Sequence, residues 1–93
     1  MTTFTKIVGS VLDYEEDWTA WLGEDTIVSS SWSVDDSEDI VIDSDSNTTT
    51  SAIVWLSAGT LGEKYEVTNT IVTAAGRTDS RTIKIKITEK KYD

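Results

Sequence analysis

The stretch KYEVTNTIVTAAGRTDSRTIKIKITEK, Lys64 to Lys90, alternates twice with a period of two. Tyr65, Val67 and Ile71 are apolar at odd positions, and Ile83, Ile85 and Ile87 alternate with Thr82, Lys84 and Lys86. Two such runs around a glycine predict a β-hairpin. Side-chain parity sets its turn: a three-residue loop of Ala74, Ala75 and Gly76 puts Val67 opposite Ile83, whereas a two-residue loop would oppose Val67 to Lys84. Gly76 suits the third loop position, which takes a left-handed backbone. Arg77 and Arg81 stand on the way out of the turn.

Working back toward the N-terminus, SAGTLGEK connects this hairpin to TTTSAIVWLS, a β-branched run carrying Ile53, Val54, Trp55 and Leu56 and predicting another strand. Gly62 precedes Tyr65 by three residues and Tyr65 precedes Val67 by two, a spacing similar to the tyrosine corner of immunoglobulin-like sandwiches, without the cysteine of antibody domains. Ile40 to Ile42 form a short apolar strand between two acidic turns. In DTIVSSSWSV, Val28, Trp32 and Val34 alternate with serines as a half-buried strand. In VLDYEEDWTAWLG, Leu12, Tyr14 and Trp18 share a strand face, then Trp18 and Trp21 take a helical spacing that Gly23 ends. Residues 1–10 are a loose arm or an edge strand, and 11–93 form one domain. Six or seven short strands with no long helical pattern give an all-β sandwich of about seven antiparallel strands, with a small barrel as the alternative, and the tyrosine-corner spacing is what likens it to the immunoglobulin-like form.

The chain has 93 residues, no cysteine and no histidine, which excludes a disulfide scaffold, a thiol nucleophile, a Cys/His zinc site and a histidine-based triad. The missing cysteine fits assembly in a reducing cytoplasm. The first seventeen residues hold no apolar signal segment and no stretch is long enough to span a membrane, so no membrane partner is expected. Net charge is −9, with twelve of the seventeen acidic residues between Asp13 and Asp45 and six of the eight basic ones between Arg77 and Lys91. The acidic half opposes nucleic acid as a partner. Unlike halves suit either a solvated acidic face or heterologous assembly.

Candidate chemistry is sparse. Asp43, Asp45 and Asn47 open like a calcium-binding EF-hand loop, but Thr48 stands where glycine is needed and Val54 where a glutamate is needed, so an acidic turn is favoured and no metal is assigned. Adding Asp35, Asp36 and Asp39 would give a nonstandard site. Glu15, Glu16 and Asp17 with Asp35 or Asp36 offer carboxylate pairs but no cleft to shift their pKa values, so neither an enzyme nor a cofactor is expected. Trp32 and Trp55 are expected in the core. Trp18 and Trp21, near a turn amid acids, are the candidate exposed patch for a protein or a sugar, with burial as a plug at one end of the sandwich the equal alternative. The candidate partner-binding residues are Trp18, Trp21, Arg77 and Arg81.

Taken together, DWxxWL at Asp17–Leu22, WLSAGT at Trp55–Thr60 and GRTDSR at Gly76–Arg81 make the span from Val11 to Ile87 resemble small virion proteins of tailed bacteriophages, of the fibre-tail adaptor or neck type. The resemblance implies a non-enzymatic structural protein of immunoglobulin-like fold, present in several copies on the virion and assembled in the host cytoplasm. It implies portal, neck, tail, fibre or capsid proteins as partners, and brings no catalytic or cofactor residues. An adaptor at the neck or tail is the first expectation, a cement protein decorating the head the second, and a carbohydrate-binding module the third.

Overall fold

Short runs of β-branched and hydroxyl residues, broken every six to eleven residues by turns, build strands rather than helices. A computed structural model of the chain describes residues 2–34 and 39–89. These form β1 (Thr2–Ile7), β2 (Leu12–Asp17), α1 (Thr19–Leu22), β3 (Ile27–Val34), β4 (Ile40–Asn47), β5 (Ser51–Ala58), β6 (Lys64–Thr73) and β7 (Thr78–Thr88). One sheet has the order β1-β7-β6-β3 and the other β2-β5-β4. All pairings are antiparallel except β1 with β7. The described strands do not pair from one sheet to the other, so the architecture is a sandwich and not a barrel.

The terminal hairpin has the register that parity demands. Val67 lies opposite Ile83, the pairing runs out to Val72 opposite Thr78, and Gly76 has φ 87° in the turn. Tyr65, Val67 and Ile71 of β6 and Ile83, Ile85 and Ile87 of β7 are buried. Most of them pack on Tyr14, Val54 and Leu56 from the other sheet. Tyr65 also closes the β5–β6 connection, as its spacing predicts: its hydroxyl accepts the Thr60 amide N–H at 2.8 Å and donates to the Asp39 carboxylate. Lys6 of β1 is buried, and its ammonium reaches from one sheet to the other to donate to the Ala58 carbonyl at 3.0 Å. Burial lowers the pKa of that ammonium and the charge of Asp43 partly opposes the shift.

Three expectations are corrected. Val28 is 64% exposed because a bulge between Ile27 and Ser29 inserts it as an unpaired residue, leaving Ile27 as the buried one. The strand expected at Ile40 to Ile42 continues to Asn47, so Asp43 and Asp45 lie on β4 and not in a turn. Trp55 is not a core residue: its neighbours Val54 and Leu56 take the inward positions and leave it on the outer side of the sheet, 42% exposed.

Gly59 carries a testable packing constraint. Its φ is +97°, and a β-carbon there would lie 2.8 Å from Ile87 Cδ1, whereas one at Gly76 would meet nothing. Gly59→Ala should destabilise the chain by about 2 kcal/mol or more and Gly76→Ala by only about 1 kcal/mol, since only the first adds overpacking to left-handed strain. Urea denaturation of the two variants checks the difference.

Candidate partner-binding site

The connection from β2 to β3 makes one end of the sandwich. Asp17 starts it, with Oδ1 accepting the Thr19 amide N–H at 2.9 Å and the Thr19 hydroxyl at 2.6 Å, a local turn that aspartate forms readily. One helical turn follows and Gly23 ends it, its N–H donating to the Thr19 carbonyl. A three-residue spacing on that turn brings Trp18 and Trp21 to one side, their rings edge to face with centroids 5.3 Å apart.

Trp18 is wholly buried, so the expectation of an exposed Trp18 is corrected in favour of the plug. It packs with Leu22, Ile27 and Ile71. An indole N–H taken out of water needs an acceptor, and Asn69 Oδ1 supplies one at 2.9 Å. Asn69 is itself buried on β6 and donates to Ser30 Oγ and the Ser31 carbonyl, both at 2.9 Å. The network is therefore satisfied from the helical turn through β6 to β3.

The two arginines of the hairpin close over the two tryptophans. Arg81 stacks 4.0 Å above the Trp18 ring while donating to Glu16 Oε2 at 2.9 Å and to the Asp17 carbonyl. Arg77 stacks 4.1 Å above Trp21, pairs with Asp25 Oδ2 at 3.0 Å and donates to the Leu22 carbonyl. Each stack is worth about 0.5–2 kcal/mol, more where water is excluded. Asp25 is the anchor on the other side, accepting also the amides of Thr26 at 2.8 Å and Ala75 at 3.1 Å. Its carboxyl is held down to about 2, first by the Thr73 hydroxyl and then by the Thr26 amide and the Arg77 guanidinium, against the opposing effect of burial.

All four candidate residues thus meet in one cluster, with Trp21 and Arg77 in its accessible layer and Trp18 sealed beneath. Sequence reasoning missed Asn69 and Asp25, and weighed Glu16 only as one of a carboxylate pair. Asn69 had a signal, since it is the one polar residue in the inward run Tyr65, Val67, Asn69, Ile71; Asp25 had none. Of the other candidate chemistry, Asp43, Asp45 and Asn47 are strung along β4, roughly 7 Å apart in pairs. Asp43 is hydrogen-bonded to the Ser57 hydroxyl. Glu16 is engaged by Arg81, and Asp35 and Asp36 lie outside the described residues.

The family model described as podophage GP4 fiber-tail adaptor protein gp77 matches residues 6–86. The chain belongs to this family. The match encloses α1, the terminal hairpin and all four clustered residues. No curated protein sequence matches the chain. As a member of the adaptor family the chain is a non-enzymatic structural protein of the phage neck and tail, located in the assembled virion and engaging tail and fibre components. Among the described residues no helix is long and apolar enough to cross a membrane.

Two outcomes test the cluster. Asn69→Ala should cost about 2 kcal/mol in chemical denaturation, because the Trp18 N–H then stays buried and unpaired. The second concerns acid. A carboxyl whose folded pKa lies below its unfolded value adds stability that is complete above about pH 4 and is lost as pH falls toward 2. Asp17 and Asp39 are shifted the same way, each chiefly by a threonine hydroxyl. Thermal melts should therefore show wild-type stability falling between pH 4 and pH 2, with Asp25→Asn flattening that fall.

Proposed function

We propose that the chain joins tail or fibre components to the particle through the end of the sandwich that carries α1 and the β6–β7 turn. The observation that carries this is the part-exposed Arg77–Trp21 stack, held on a buried, fully hydrogen-bonded base. Arginine and tryptophan are the residue types that dominate interface energies, and a pre-ordered pair loses little side-chain entropy on binding. Trp18 and Arg81 act beneath it as supports, fixing the height and angle of the layer above.

We infer further that the sandwich is immunoglobulin-like. The order β2-β5-β4 facing β7-β6-β3 corresponds to the B-E-D and G-F-C sheets of that fold, with the first strand placed beside β7. The bond from Tyr65 to the Thr60 amide supports the same assignment. We take the chain from residue 11 onward as the sandwich unit, with β1 (Thr2–Ile7) added as an edge strand beside β7. The partners are portal, neck, tail or fibre proteins rather than capsid, as the family's description favours, and the copies are several, assembled in the host cytoplasm. A net charge of −9 opposes nucleic acid as a partner. A sugar-stacking platform of Trp18 with Trp21 loses its support from the burial of Trp18.

Arg77→Ala and Trp21→Ala, produced in a phage lacking the native chain, should leave a folded protein whose retention on purified particles falls at least about tenfold, as for the loss of an interface hot spot. Quantitative mass spectrometry of the particles reads the copy number. Retention at the wild-type copy number in both variants would place the contact elsewhere.

A further inference from the structure

Away from the α1 end, the outer side of the three-stranded sheet carries an apolar patch that is exposed among the described residues. Trp55 is its centre at 42% exposure, with Val41 beside it at 47%. Ile53, two residues back along β5, shares that side. The register defines the rim: Asp13 and Ser44 lie opposite Trp55, and Glu15 and Ser46 opposite Ile53. Asp43, next to this row, holds the Ser57 hydroxyl at 2.8 Å. None of these three carboxylates belongs to either ion pair of the described residues.

The outer side of the four-stranded sheet has the opposite character. Lys64 lies opposite Lys86 in the β6–β7 register, and Lys84 opposite Glu66 on the same side. Like charges directly across a strand pair are destabilising, and neither lysine of the Lys64–Lys86 pair has a carboxylate within ion-pair distance among the described residues. Further along, Thr68 bonds Thr82 and Thr70 bonds Ser80, giving a row of paired hydroxyls. The outer sides of two packed sheets point in opposite directions.

We propose that the Trp55 side of one copy docks on the Lys64, Lys84 and Lys86 side of a second copy. Lysine stems and ammonium groups cover the indole, the rim carboxylates supply the counter-charges that the Lys64–Lys86 pair lacks, and tryptophan provides the apolar centre. Because the two surfaces face opposite ways, every docked copy keeps one of each free. The contact is heterologous and repeats, closing into a ring or continuing as a stack. It is distinct from the α1 end, which remains accessible to other virion proteins.

Sedimentation velocity of the purified chain tests this, up to about 1 mM, the effective concentration that tethering on a particle provides. The wild type should associate with rising concentration and dissociate as salt is added. Trp55→Lys alone, and Lys64→Glu with Lys86→Glu, should each weaken association at least tenfold. Mixing these two variants should give a one-to-one dimer that grows no further, since each retains the surface the other has lost. If Trp55→Lys fails to fold by circular dichroism, Asp13→Lys with Glu15→Lys should weaken association alike. A wild type that stays monomeric at the highest concentration, association that survives both sets of changes, or a mixture that forms no dimer would overturn the proposal. A monomer that nevertheless needs Trp55 for incorporation into particles would assign the patch to another virion protein, and overturn it equally.

Discussion

The hydrogen bond from the Trp18 indole to Asn69 is the constraint on which the functional end depends. A tryptophan buried completely beside α1 has one N–H that must find an acceptor, and an asparagine buried to supply it has an amide that must find acceptors in turn. Ser30 and Ser31 of β3 answer that second demand. Three elements are tied by groups that all lose if any one moves. The net gain of such bonds is about 1 kcal/mol each, but leaving one unmade costs more, so the network acts chiefly by fixing one arrangement.

With Trp18 fixed, the rest of the cluster follows from spacing. Trp21 lies one helical turn on, Arg77 and Arg81 are four residues apart at the start of β7, and the two rows match so that each guanidinium covers one ring. The carboxylates Glu16 and Asp25 hold the guanidinium groups from the side, which leaves their faces for the rings and part of Arg77 for a neighbour. The same bonds therefore close the fold and shape its adaptor surface, and this end resists acid only while Asp25 stays ionised.

Much of this was legible in the chain. Period-two alternation with an odd loop fixes which faces of β6 and β7 meet, because any one-residue slip would turn Ile83, Ile85 and Ile87 to solvent. The spacing of Trp18, Trp21 and Gly23 marks the single helical turn, and the residues around the turn at Gly76 mark the arginines. The meeting of these two segments was not legible, since it depends on contacts more than fifty residues apart. Bulges were invisible as well: one extra residue at Val28 reverses the phase of everything before it, and the one at Asp43 lets a strand of serine and aspartate continue with no apolar alternation. Trp55 was misplaced because hydrophobicity alone does not say which side of a sheet a residue occupies. The family was legible in the combination of DWxxWL, WLSAGT and GRTDSR, none of which is distinctive by itself.

Cryo-electron microscopy of the particle that carries this chain tests the central claim most directly, by locating the sandwich and its orientation. The account predicts copies at the neck or tail with the α1 end, Trp21 and Arg77 foremost, pressed against a neighbouring virion protein. Density in which that end faces solvent while another surface makes the contact would contradict it.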